Sequence, residues 1–94
     1  MVVVCVLTLR LYAPWVHSLK EKRMVVKSLL TRVRSKFNVS AVESGAQDAH
    51  ARIVLSAAVL AANAAQADSI MEHVQAFVAA STEAEITSVE LEQR

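Results

Sequence analysis

Seven lysine and arginine side chains fall between His17 and Lys36: Lys20, Lys22, Arg23, Lys27, Arg32, Arg34 and Lys36, with Glu21 the only acid among them. On a helix, Lys20, Arg23, Lys27 and Arg34 share one stripe, because positions three or four apart, and their multiples, are stacked neighbours. That stripe would run for about 20 Å and suits a phosphate backbone, whose neutralisation releases counterions. The competing use of the same charges is a solvated helix face. From Gln66 to Arg94 the sign reverses, with six Asp and Glu residues against Arg94 alone. The net charge of +1 hides this polarity, which points to an anionic partner for the basic segment.

Other chemistry finds less support. His17, His50 and His73 lie in separate segments without metal-ligand spacing, so neither a metal nor a cofactor is expected. Cys5 sits inside an apolar run, where a thiol acts as a small apolar group, and one cysteine cannot build a disulfide framework. Asp48 and His50 could form an acid–base pair in a polar loop, but no nucleophile adjoins them. The single glycine excludes a phosphate-cradling loop. The expectation is a protein without enzymatic activity. Trp15 is expected to pack over the start of the basic helix, with stacking on a ligand as the alternative.

These residues need elements to position them. Val2–Tyr12 is β-branched and apolar and reads as a strand, with Val3, Cys5, Leu7, Leu9 and Leu11 on one face and Val2, Val4, Val6, Thr8, Arg10 and Tyr12 on the other. Ser18 with Glu21 forms a capping box opening a helix that ends near Phe37, its apolar stripe being Leu19, Val26, Leu30, Val33 and Phe37. Val39–Ser44 and Arg52–Ala61 read as strands. Asn63 with Gln66 opens a second helix, and Glu85–Glu92 is a polar edge strand. The order βαββαβ predicts an α+β, ferredoxin-like fold in one domain spanning 1–94, with a four-stranded antiparallel sheet carrying both helices on one face. Strands one and three, apolar on both sides, belong in its middle.

At 94 residues and 54% hydrophobic content the chain is ordered, with room for one modest core. Val2–Leu9 is too short to cross a bilayer and has no basic stretch before it, so neither a membrane span nor a secretory leader is expected and a cytoplasmic location is. The open sheet face should expose Val2, Val4, Val6, Val54 and Leu60, an apolar patch that predicts a homodimer. The central strands lack the aromatics of a base-stacking sheet, so nucleic-acid contact should follow backbone and shape, without DNA sequence readout.

His17-Ser18-Leu19-Lys20-Glu21-Lys22-Arg23, Val25-Val26-Lys27-Ser28-Leu29-Leu30 and Phe37-Asn38-Val39-Ser40 together resemble the YlxP-like family of small bacterial proteins of unknown function. The resemblance covers nearly the whole chain and implies a ferredoxin-like fold. Family members are often encoded beside translation and ribosome-maturation genes, which implies an RNA or ribosome setting. Two departures stand out: Trp15 follows Pro14 where the family commonly has glycine, and Ala49-His50 follows Gln47-Asp48 where the family commonly has Leu-Trp. The leading expectation is a protein that binds structured RNA, such as rRNA or a ribosomal subunit, through Lys20, Lys22, Arg23, Lys27 and Arg34. Its rivals are a dimeric module regulated by a small ligand and a structural protein-interaction module.

Overall fold

Alternation along two strands decides which side of the sheet is filled. The computed structural model describes residues 1–94. Its elements are β1 (Val3–Tyr12), α1 (Leu19–Lys36), β2 (Ser40–Gly45), β3 (Arg52–Ala61), α2 (Ala64–Ser81) and β4 (Glu85–Gln93). The sheet order is β2-β3-β1-β4, antiparallel throughout. This is the expected ferredoxin-like α+β arrangement, with β1 and β3 central.

On β1, Cys5, Leu7, Leu9 and Leu11 are buried, and on β3 so are Ile53, Leu55, Ala57, Val59 and Ala61. These rows pair directly, Leu7 opposite Ala57, Leu9 opposite Leu55 and Leu11 opposite Ile53. Val26, Leu29, Leu30 and Val33 of α1 and Ala67, Met71, Val74 and Val78 of α2 close the other layer of the core. Phe37, the cap that ends α1, and Phe77 of α2 meet edge to face at 5.6 Å, the orientation an aromatic quadrupole favours.

Both helix starts follow their capping residues, with one shift. Ser18 Oγ accepts from the Glu21 amide at 3.1 Å, and Asn63 Oδ1 from the Gln66 amide at 2.9 Å. The return bonds reach the residue before each cap: Glu21 accepts from the His17 amide, and Gln66 from the Ala62 amide. The extended cap backbone brings those amides within reach of the longer side chains. Strand ends move slightly too. Val2 precedes β1 and Val39 precedes β2, while β4 reaches Gln93 because β1 continues to offer partners, down to a mutual Val4–Arg94 backbone pair.

The opposite sheet face carries Val4, Val6, Thr8, Arg10 and Tyr12 of β1 beside Leu60, Ala58, Ser56, Val54 and Arg52 of β3. Ile53 is fully buried on the covered side. Ile53→Ala is expected to cost about 2–5 kcal/mol, read as a lower urea midpoint at unchanged slope.

Candidate nucleic-acid interface

Helix α1 buries Lys22, Val26, Leu29, Leu30 and Val33 against the sheet, and its other side is set by what that seam leaves over. Lys20, Arg23 and Lys27 are exposed on one stripe, with Met24 beside them, 67% exposed. The protein's ion pairs, Arg10–Glu90, Lys22–Glu43 and Arg94–Glu92, all lie off this stripe. Lys20, Arg23 and Lys27 therefore keep their charge uncompensated by any carboxylate within ion-pair distance.

Two other residues expected in the phosphate set are placed differently. Arg34 is exposed, but its Nε and Nη2 both donate to the Ala41 carbonyl, at 3.1 and 2.5 Å. It ties the end of α1 to β2, which spends part of its guanidinium fork. Arg32 does the same toward α2, Nη1 donating to the Ser81 carbonyl at 2.8 Å. Lys22 leaves the surface altogether: its side chain is 3% exposed. Its Nζ donates to the carbonyls of Ala46 at 2.5 Å and Ala49 at 2.7 Å, and lies 3.1 Å from Glu43 Oε2. Expecting Lys22 on phosphate is corrected accordingly, since its protons point into the turn between β2 and β3. Two residues beyond Lys20 on a helix turns a side chain to the far side of the axis, toward the sheet.

The ammonium has work to do there. Ala46 adopts a left-handed backbone, φ 55°, which an L side chain resists. Its carbonyl accepts from both Lys22 and the Ala49 amide, so the charge clamps a turn that lacks glycine at its strained position. His50 joins the same end of the molecule, its Nδ1 lying 2.8 Å from the Val16 carbonyl. That bond joins the β2–β3 turn to the segment leading into α1, and His50 makes it in place of the pairing with Asp48 that their nearness in the loop would allow. His73 Nδ1 meets the Ser69 carbonyl of its own helix.

Of the residues expected to form an apolar interface, Val2 and Leu60 are the most open, at 63% and 68% exposure, and Val4 is exposed beside them. Val6 and Val54 are half-buried. Val54 sits apart from the others, because Thr8, Ser56 and Ser44 join hydroxyl to hydroxyl between them, at 2.9 and 2.6 Å. Val42, missed in the sequence reading, adds an exposed side chain on β2. Cys5 is fully buried, and desolvation, with Asp68 second, pushes its thiol above the ordinary range. No helix is long and apolar enough to cross a membrane.

Removing the Lys22 ammonium strands the Ala49 carbonyl and the Glu43 carboxylate and leaves the Ala46 carbonyl with the Ala49 amide alone. Lys22→Ala is expected to destabilise the fold by about 3 kcal/mol, whereas Lys20→Ala should change stability by under about 0.5 kcal/mol; chemical denaturation of the two variants checks the contrast.

Comparison with known proteins agrees with this architecture. A relative from Bacillus subtilis (strain 168), described as uncharacterized protein YlxP, is 43% identical over 70 residues, covering 74% of this chain and 76% of the relative. Among solved structures, a hydantoinase/carbamoylase family amidase from Burkholderia ambifaria matches with a TM-score of 0.52 at 14% identity. That match takes in 99% of this chain and 28% of the amidase chain, and the likeness is one of fold. Residues 4–91 match the family described as protein of unknown function DUF503, and the chain belongs to that family.

Proposed function

We propose that this protein binds RNA non-enzymatically through the outward stripe of α1, with Lys20, Arg23 and Lys27 on consecutive phosphates and Arg34 reaching a further one. The observation that carries this reading is the exposed, carboxylate-free placement of those three side chains. A face meant only for solubility is commonly mixed in sign. The acids from Asp68 onward instead belong to α2, β4 and the turn between them. A molecule polarised in this way is steered basic side first onto a polyanion. Structured RNA of a ribosomal subunit is the partner class, in keeping with the resemblance noted above.

The same proposal joins two copies through the open end of the sheet. Val4 lies directly across from Leu60, and Val2 extends the same side, so three exposed apolar side chains meet at one corner. A twofold dimer through that corner would present two basic helices to one RNA.

The Lys20→Glu, Arg23→Glu, Lys27→Glu triple variant is expected to stay folded and to lose co-sedimentation with ribosomal subunits at low and moderate salt. The slope of log affinity against log salt should fall by about 2–3 relative to the parent. Equal binding by parent and variant would refute the phosphate assignment. A thermal shift with a metabolite and indifference to the charge reversal would favour a ligand-regulated module. Sedimentation equilibrium should give twice the chain mass for the parent and the single-chain mass for Leu60→Glu; a monomeric parent rejects the dimer.

A further inference from the structure

Trp15 is the only tryptophan and lies between β1 and α1, next to the fully buried Val16. Its own residue is 39% exposed. The indole lines an open groove of about 410 Å³ with Met24, Ser28 and Arg32 of α1 and Thr82 and Glu83 after α2. A second depression of about 480 Å³ shares Met24, Ser28 and Arg32 and takes in Lys27. The two form a continuous path from the indole to the basic stripe.

Core packing accounts for neither the exposed indole nor the exposed Met24 thioether, and both are polarizable surfaces suited to a flat ring. Around them stand groups able to meet the edge of such a ring: the Ser28 and Thr82 hydroxyls, the Glu83 carboxylate, and the Arg32 guanidinium. The last is held in place by its bond to the Ser81 carbonyl, with further N–H groups free to donate. A surface for a flat heterocycle, in a groove that continues to Lys27, suits an unpaired base and its phosphate.

We propose that the Trp15 groove binds an unpaired base of single-stranded RNA, stacked on the indole while the adjoining phosphates lie on Lys20 and Lys27. The proposal rests on the phosphate-binding reading of α1 and adds to it a preference for unpaired over duplex RNA. It places stacking beside the helices, away from the sheet face where the central strands lack aromatics. Charge alone tracks either form of RNA, whereas a base inside a duplex is already stacked and does not reach the groove.

Because Trp15 is the sole tryptophan, its emission reports directly on the groove. Oligoadenylate and an RNA duplex of equal length would be titrated into the protein, with affinity measured separately by anisotropy of end-labelled RNA. Oligoadenylate is expected to quench the emission and the duplex to leave it nearly unchanged. Trp15→Ala should weaken oligoadenylate binding roughly tenfold or more without changing duplex affinity, and Trp15→Phe should lie between. Thermal midpoints of both variants check that the fold survives, and Trp15→Phe carries the test should Trp15→Ala not fold. Unquenched emission with equal oligoadenylate affinity in the parent and Trp15→Phe would overturn the stacking site and leave phosphate binding standing. Failure of the parent to bind either RNA would overturn both.

Discussion

The antiparallel pairing of β1 with β3 is the constraint on which the rest of the molecule depends. Its register sets Leu7, Leu9 and Leu11 against Ala57, Leu55 and Ile53, and those side chains are the floor on which both helices rest. A strand has a period of two, so a slip of β1 by one residue would turn Thr8 and Arg10 into the core and expel its leucines. The cost of such a slip is far larger than the stability of a domain this size. The chemistry of the two faces is thereby fixed before either helix docks.

Docking α1 on that floor then sorts its basic residues. The helix can bury only one seam, and the seam chosen by Val26, Leu29, Leu30 and Val33 includes Lys22. A lysine there is tolerated because two carbonyls and a carboxylate receive its ammonium. The charge that leaves the surface is reused to hold a turn strained at Ala46. Opposite the seam, Lys20, Arg23, Lys27 and Met24 remain in solvent, and the turn after β1 brings Trp15 up beside them. The proposed interface is thus a by-product of core packing on the helix's other side, which fixes the backbone positions from which its side chains project.

Most of the fold was legible because the patterns are local. The span of β3 matches its expected bounds, and α1 begins at the residue after its expected cap. The even-numbered residues of β1 lie on the open side as their alternation required. Boundaries drifted only where a neighbour decides them, as when β1 continues the ladder of β4 to Gln93. The capping pairs were recognisable from side-chain type, but the return bonds landed one residue earlier because the backbone at each cap is extended.

The candidate site was legible in charge and less so in role. Helical spacing alone places Lys20, Arg23 and Lys27 on one stripe and suffices to predict them as a group. Lys22 falls off that stripe by the same spacing, four and seven residues before Val26 and Leu29, but the carbonyls that accept its buried ammonium belong to the turn between β2 and β3, distant in the chain. Arg34 looks as free as Lys27 in the sequence until β2 brings the Ala41 carbonyl to it. The groove at Trp15 combines residues from the β1–α1 turn, α1 and the end of α2, and no periodicity links those three segments. What the sequence determined by itself were the elements, the buried faces and the sign of each surface, because these follow from local pattern and composition. Only the tertiary structure decided which cations are spent inside and which remain available, because a hydrogen-bond partner far along the chain is set by packing.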